Sequence, residues 1–325
     1  MNMKKYSVGV DLGGTKILAG IVNTESGEII ASAKKRTLKE SGKSIEENLI
    51  ETIEKAIYEA NIAISELSSI GIGAAGQVDR ENGVLIAAPN LNCYDLKLKE
   101  IIEKRFKTHV FVGNDVEVAT IGEITFGNGV GYKNLVCIFV GTGIGSGILC
   151  NGELHRGASG TAGEIGHIIV STGGRLCGCG ENGCLEAYAS RTAIEKRITG
   201  IIKKGHSSVI KDLLHENNII KSKYIRKALE LNDEVVFNVI TEAAEYLSSG
   251  IASVINFYNP ELIIMGGGLI EAVDFFYDIT IKKTHTKSLA IASSCTKIKR
   301  TGLKDFSGLI GAALLEKYYS NKVKV

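Results

Sequence analysis

The chain has 325 residues, with 38 Lys and Arg against 36 Asp and Glu, 38 Gly, only 2 Pro and no Trp. A glycine excess without proline fits neither collagen nor a disordered linker, and a 44% hydrophobic chain of this length can bury two ordinary cores. A net charge of +2 supplies no basic stripe, which argues against nucleic acid as the main partner, and Lys34, Lys35 and Arg36 read as solvated surface. The apolar stretch after Lys4 and Lys5 is broken at Asp11, so it is no leader, and no apolar run is long enough to span a bilayer. A cytoplasmic protein with no membrane partner is expected. Its seven cysteines, an odd number, argue against a disulfide framework.

In chain order, Tyr6 to Val10 predicts a strand that stops at DLGGTK (11–16) and resumes at ILAGIV (17–22), a strand, glycine turn and strand. Over 44–60 the apolar residues Ile45, Leu49, Ile53, Ala56, Ile57 and Ala60 recur at helical spacing, and Ser44 with Glu47 forms a capping box. SSIGIGAAG (68–76) and HVFVGND (109–115) predict short buried strands. NLVCIFVGTGIGSGILC (134–150) repeats the opening pattern and lays Gly141 on Gly13, as a duplicated domain or as two unrelated hairpins. A Gly/Cys-rich loop follows (157–184). A helical stretch runs from about 185 to 257, with an apolar face through Val236, Val239, Ile240, Ala243, Leu247, Ile251 and Ile255, and then comes the strand ELIIMGGG (261–268). No linker separates the halves, so closely packed lobes facing a cleft are expected.

DLGGTK is not a Walker A loop, and GTGIGSG (141–147) misses the dinucleotide fingerprint, because a strand rather than a helix follows each. Glycines still let backbone N–H groups crowd an anion, and Thr15 and Thr142 add hydroxyl donors. Tight hairpins explain one such loop well. With GGG at 266–268, a nucleotide held between two lobes explains the set better. Asp11 and Asp115 each end an apolar strand. Singly, each reads more often as a turn or helix cap; together they supply the carboxylates that phosphoryl transfer needs for Mg²⁺ and for the proton of the attacking hydroxyl. Cys177, Cys179 and Cys184 in CGCGENGC have the spacing of a metal knuckle, and His167 ten residues upstream is the nearest fourth ligand. Three Cys and one His make a closed structural zinc site, against the alternative of buried or redox cysteines. His109, His155, His206, His215 and His285 sit in no motif and read as surface residues.

DLGGTK, GIGAAG (71–76), ND (114–115), GTGIGSG, ExGH (164–167), CGCGENGCLE (177–186) and NPELIIMGGG (259–268) together resemble the ROK family of sugar kinases. The resemblance covers nearly the whole chain, and its most specific part is ExGH with the cysteine knuckle. It implies an α/β fold, the two-lobed actin-like ATPase (ribonuclease H-like) architecture with duplicated domains and a cleft. The domains would be a small one at 1–114 with a C-terminal helix at about 308–325, and a large one at 115–307. It implies an ATP-dependent kinase acting on the 6-hydroxyl of glucose, with Mg²⁺ and a structural Zn²⁺. Asp115 would be the base and Asn114 a partner of the ring hydroxyls. Gly76, Glu164, His167 and Glu186 would be sugar-binding, with Asn90 a weaker candidate. Asp11 would serve Mg²⁺; Gly13, Gly14, Thr15, Lys16, Thr142 and Gly143 the phosphates; Gly266, Gly267 and Gly268 the adenosine. His167, Cys177, Cys179 and Cys184 would hold zinc. A homodimer or higher homo-oligomer is expected from the same resemblance. Ala75 and Gln77 stand where the family commonly has Pro, and Cys93 where many glucokinase-like members have Trp. These departures leave N-acetylmannosamine, N-acetylglucosamine, mannose or fructose as alternative sugars, and polyphosphate as an alternative donor. Sugar-responsive repressors of the family carry a helix-turn-helix ahead of this body, for which the first loop at residue 11 leaves no expected room.

Overall fold

A computed structural model describes residues 4–37, 44–88, 91–214 and 219–320. The chain divides into two units, Met1–Gly131 with Asp305–Val325, and Tyr132–Lys304. The first holds β1 (Tyr6–Leu12), β2 (Lys16–Asn23), β3 (Ile29–Arg36), α1 (Ile45–Ala60), β4 (Leu67–Ala74), β5 (Gln77–Asp79), β6 (Val84–Ala88), β7 (Cys93–Leu96), α2 (Leu98–Phe106), β8 (Val110–Asn114) and α3 (Asp115–Phe126). The second holds β9 (Leu135–Val140), β10 (Ile144–Cys150), β11 (Glu153–His155), α4 (Glu186–Ala189), α5 (Arg191–Lys203), α6 (Ile210–Leu213), α7 (Ser222–Glu230), α8 (Glu234–Tyr258), β12 (Leu262–Gly266), α9 (Gly268–Ala272), α10 (Asp274–Lys287), α11 (Ala290–Cys295) and β13 (Lys297–Arg300). Helices α12 (Ser307–Ala313) and α13 (Leu315–Ser320) return to the first. Among the described residues no helix is long and apolar enough to cross a membrane.

Each unit is built on a five-stranded sheet, ordered β3-β2-β1-β4-β8 in one and β11-β10-β9-β12-β13 in the other. In each, the first two pairings are antiparallel and the last two parallel. The repeated order favours duplication over two unrelated hairpins, since the 13–15 and 141–143 turns join corresponding strands. The strands that bear the turns are buried along most of their length, β1 through Val8, Val10 and Leu12, β9 through Leu135, Val136, Cys137, Ile138 and Val140. This explains their near-continuous apolar runs, because parallel pairing in a covered sheet leaves no solvent face. The Ser44 capping box is present, with Ser44 N–H donating to Glu47 Oε2 at 2.7 Å and Glu47 N–H to Ser44 Oγ at 3.2 Å. The apolar face expected on the long helix is buried in α8.

The division falls at 131/132 and 304/305 rather than at 114/115 and 307/308. The reason is packing. A side chain at Gly311 of α12 would meet the Val118 carbonyl of α3 at 1.6 Å, and one at Gly122 of α3 would meet the Ser307 carbonyl at 2.4 Å. Ser307 Oγ also donates to the buried Glu123 of α3 at 2.8 Å. On the sheet side, a Cβ at Gly9 would lie 1.9 Å from the Leu309 carbonyl, and one at Gly71 would lie 1.8 Å from that of Ala312. Helix α12 therefore rests backbone on backbone against β1, β4 and α3. Gly9 and Gly71 stand beside motifs read as ligand loops, yet their lack of a side chain serves helix packing. The C-terminal helix expected over 308–325 begins at Ser307 and breaks at Leu314 between α12 and α13, and residues 321–325 lie outside the described ones. A small sheet, β5-β6-β7, was not expected from the sequence, because its three- to five-residue strands are too short to show a period.

Gly71→Ala must push α12 off the sheet, and a loss of about 3 kcal/mol is expected in chemical denaturation. Gly200→Ala is the control: it lies inside α5, where an added Cβ meets open space, and it should gain about 1 kcal/mol. Equal effects of the two substitutions would refute the packing argument.

Candidate active site and metal centre

In the first unit, β8 ends at Asn114, whose extended backbone turns the chain into α3. The Asn114 side chain caps that helix: Oδ1 accepts from Val116 N–H at 2.9 Å and Glu117 N–H at 3.2 Å, while Nδ2 donates to the Gly76 carbonyl at 3.1 Å. Asn114 thus fixes the first helical residue, Asp115, and ties it to Gly76. Withdrawal from solvent pushes the Asp115 carboxyl up to about 7, and the charge of Asp11 adds to the push. Hydrogen bonds from the Val116 and Asp115 backbone and the Asn114 side chain pull the other way. Asp11, in β1 opposite Leu18 and Gly73, is also raised by burial. Lys16 lowers it and Asp305 raises it. The Asp11 charge thus raises Asp115, one carboxyl acting on the other within the first unit.

The 13–16 turn closes through Gly13 N–H on the Lys16 carbonyl at 3.0 Å. Thr37, which the sequence did not flag, fastens it: its hydroxyl donates to the Gly13 carbonyl at 2.6 Å and its N–H to that of Thr15 at 3.2 Å. Lys16 reaches to 4.0 Å from Asp305, and Thr15 is exposed. The ion pair of Arg80 and Glu117, at 2.6 Å, joins the end of β5 to the first turn of α3. Asn90 and His215 lie outside the described residues.

In the second unit, the 141–143 turn is closed by Gly141 N–H on the Gly143 carbonyl at 2.9 Å. Glu186 Oε2 accepts from Ile144 N–H at 2.8 Å, and a Cβ on Gly143 would meet that oxygen at 2.3 Å. A side chain at 143 would therefore displace the Glu186 carboxylate from Ile144 N–H. The 266–268 run is a strand-to-helix turn: Gly267 has φ +95°, and its Cβ would meet the Val140 carbonyl at 2.5 Å, so the two glycine turns lie side by side at the ends of β9 and β12. The 163–167 loop also rests on β10, with Ser146 Oγ donating to the Gly163 carbonyl at 2.5 Å. Glu164, exposed, precedes the short turn Ile165–His167.

His167, Cys177, Cys179 and Cys184 place their ligand atoms within 4.8 Å of one another. The Cys179 and Cys184 sulfurs are 3.7 Å apart, and Cys177 Sγ is 3.8 Å from His167 Nδ1. A tetrahedron with Zn–S bonds of about 2.3 Å has edges of about 3.8 Å, so these four residues fit a zinc ion. Burial, with the neighbouring thiols, pushes Cys184 up to about 12. The loop is braced independently of the thiols. Arg175 N–H donates to Tyr188 Oη at 2.8 Å, its guanidinium lies over the Tyr188 ring, and Tyr188 stacks on Tyr246. His109, His155, His206 and His285 are exposed, as expected of residues in no motif.

Two sheets of one topology, each opening with a glycine hairpin, define the duplicated α/β fold of the actin-like ATPases. The chain belongs to the ROK family, whose model matches residues 7–318. It is 33% identical over 311 residues to the glucokinase of Thermotoga maritima, covering 95% of this chain and 96% of that protein. It is similar to the solved structure of a ROK family glucokinase from Streptomyces griseus in complex with glucose and AMPPNP, at 33% identity and a TM-score of 0.80, covering 96% of this chain and 99% of that one. It is also 30% identical over 308 residues to the xylose repressor of Caldicellulosiruptor bescii, covering 94% of this chain and 76% of the repressor.

The raised Asp115 carboxyl has a thermodynamic consequence. Between about pH 4, where it titrates unfolded, and about pH 7, the folded chain holds a proton that the unfolded chain releases, so its contribution to stability is present at acid pH and lost as pH rises. Asp115→Asn should therefore raise the thermal midpoint more at pH 8 than at pH 5. A gap that does not change with pH would contradict the assignment.

Proposed function

We propose that the chain is an ATP-dependent hexose kinase that phosphorylates the 6-hydroxyl of glucose. The observation that carries this reading is the position of Asp115, set at the N-terminus of α3 by the Asn114 cap, with its carboxyl raised by burial and by Asp11, in a chain with glucokinase relatives over nearly its whole length. Asp115 accepts the proton of the 6-hydroxyl as that oxygen bonds to the γ-phosphorus and the bond to the ADP oxygen breaks. A base that titrates near the working pH holds enough carboxylate to act and returns the proton readily. Mg²⁺, when bound at Asp11, neutralises phosphate charge. Gly13, Gly14, Thr15, Lys16, Thr142 and Gly143 take the phosphates, and Gly266 to Gly268 the adenosine.

On the sugar side the reading assigns Gly76, Asn114, Glu164, His167 and Glu186. With both Asn114 oxygen bonds spent on the helix cap, its amide nitrogen is the atom that faces a hydroxyl. Zinc held by Cys177, Cys179, Cys184 and His167 Nδ1 leaves Nε2 of the ring for the sugar and sets its tautomer. Glu186 sits beside both the knuckle and the 143 turn, so it relates the sugar hydroxyls to the phosphate turn. A general base favours a kinase over a sugar-responsive regulator, which needs binding alone.

A coupled assay over glucose, mannose, fructose, N-acetylmannosamine and N-acetylglucosamine, with ATP and polyphosphate as donors, tests the substrates. Glucose with ATP should give the highest kcat/KM; a 2-acetamido sugar ahead of glucose would replace it. Asp115→Asn should lower kcat about 1000-fold with KM for glucose changed only a few-fold. In the parent enzyme kcat/KM should rise with pH about a midpoint near 7, because only the ionised carboxyl acts. Freshly purified protein should contain one zinc per chain, which Cys179→Ser should lose. Metal analysis finding no zinc in the parent would remove the metal from the reading.

A further inference from the structure

Arg191, the first residue of α5, was not singled out by the sequence, yet it holds the 141–143 turn in three ways. Its backbone N–H donates to the Gly141 carbonyl at 2.9 Å, Nη2 donates to Thr142 Oγ1 at 3.0 Å, and Nη1 donates to Glu195 Oε1 at 2.8 Å. Thr142 is exposed at the tip of the turn, whereas the Arg191 and Glu195 side chains are only 22% and 21% exposed. Desolvation raises the Glu195 carboxyl, and Arg191 lowers it. The arrangement sets a cation, oriented from behind by a carboxylate one helical turn along, against a hydroxyl and glycine backbone that already suit an anion.

A bond between an arginine and an exposed threonine contributes little to folding, and a neutral hydroxyl needs no charged donor. A guanidinium carries five N–H donors in a planar fork matched to phosphate oxygens, and only two of the five are used here. We infer that Arg191 is a phosphate-binding residue for the donor nucleotide, bonding a phosphate oxygen of the chain seated on the 141–143 turn, with Glu195 as its positioning residue. This rests on the kinase reading and adds to it a cation that the glycine motifs do not contain.

The test compares the parent chain with Arg191→Ala and Arg191→Lys. Calorimetric titration with Mg²⁺ and AMPPNP should show binding weakened about tenfold or more in Arg191→Ala, as expected for loss of a charge-assisted hydrogen bond, with adenosine affinity and thermal midpoint unchanged. KM for ATP should rise in parallel while KM for glucose stays constant. Arg191→Lys should recover part of the loss, since it keeps the charge but not the fork. Unchanged AMPPNP affinity in Arg191→Ala would overturn the inference, as would KM values for ATP and glucose rising together with a lowered midpoint, the signature of a structural fastener. A parent chain that binds no AMPPNP would overturn the kinase reading itself, and measuring the parent first separates the two failures.

Discussion

Helix α12 lies so close to its neighbours that at four positions only glycine fits. Glycines at 9 and 71 admit its carbonyls to the sheet, and glycines at 122 and 311 admit it to α3. The same helix begins beside Asp11, whose Cγ is 3.4 Å from where a Cβ of Gly308 would stand. Asp11 and Asp115 therefore both depend on this contact. Asp11 lies on the strand it covers, and Asp115 opens the helix it presses against. Charged groups withdrawn from water are costly to hold in place, and a rigid backbone contact keeps them from relaxing toward solvent.

The second unit solves a comparable problem with β10. Ile144 N–H holds Glu186, Ser146 holds the 163–167 loop, and the turn that begins the strand is the one clasped by Arg191. The 163–167 loop, Glu186 and Arg191, 17 to 49 residues from their partners, are thus registered on one strand and the turn that begins it. Each is fastened there by a hydrogen bond in which a side chain is donor or acceptor, so a substitution at Glu186, Ser146 or Arg191 loosens its segment from the strand. The cysteine knuckle follows, because Leu185 N–H bonds to the Ile168 carbonyl and brings the end of the knuckle to the end of the histidine turn.

Features encoded locally were legible in the sequence. The two hairpins, the capping box at Ser44 and the cluster of His167, Cys177, Cys179 and Cys184 each depend on residues close together or on a repeated pattern. Gly9, Gly71, Gly122 and Gly311 were legible only as an excess, since their partners lie up to hundreds of residues away and have no sequence signature. The cap formed by Asn114 could have been read, for asparagine ahead of a helix is a favoured N-cap, but the catalytic pattern drew attention to its neighbour. Arg191 offered no signal at all, being 49 residues from the hydroxyl it meets. The compact units divide elsewhere than the expected domains for the same reason: α3 follows its strand in sequence but packs against α12, which comes after the whole second unit.

That far end gives the chain an order of assembly. A ribosome delivers all of the 132–304 unit before it delivers α12, so the second unit has its whole sequence available while the first still lacks the helix that covers Gly9 and Gly71. Domains generally fold as units during synthesis, from the N-terminus onward, and here β1 and β4 must wait for a helix that is made after the whole second unit. During that interval the apolar face of the first sheet is uncovered and available to chaperones. Asp11 and Asp115 therefore gain their neighbour α12 only after the second unit has been made, so a chain that stops before Ser307 carries both glycine hairpins without the helix that packs beside these aspartates.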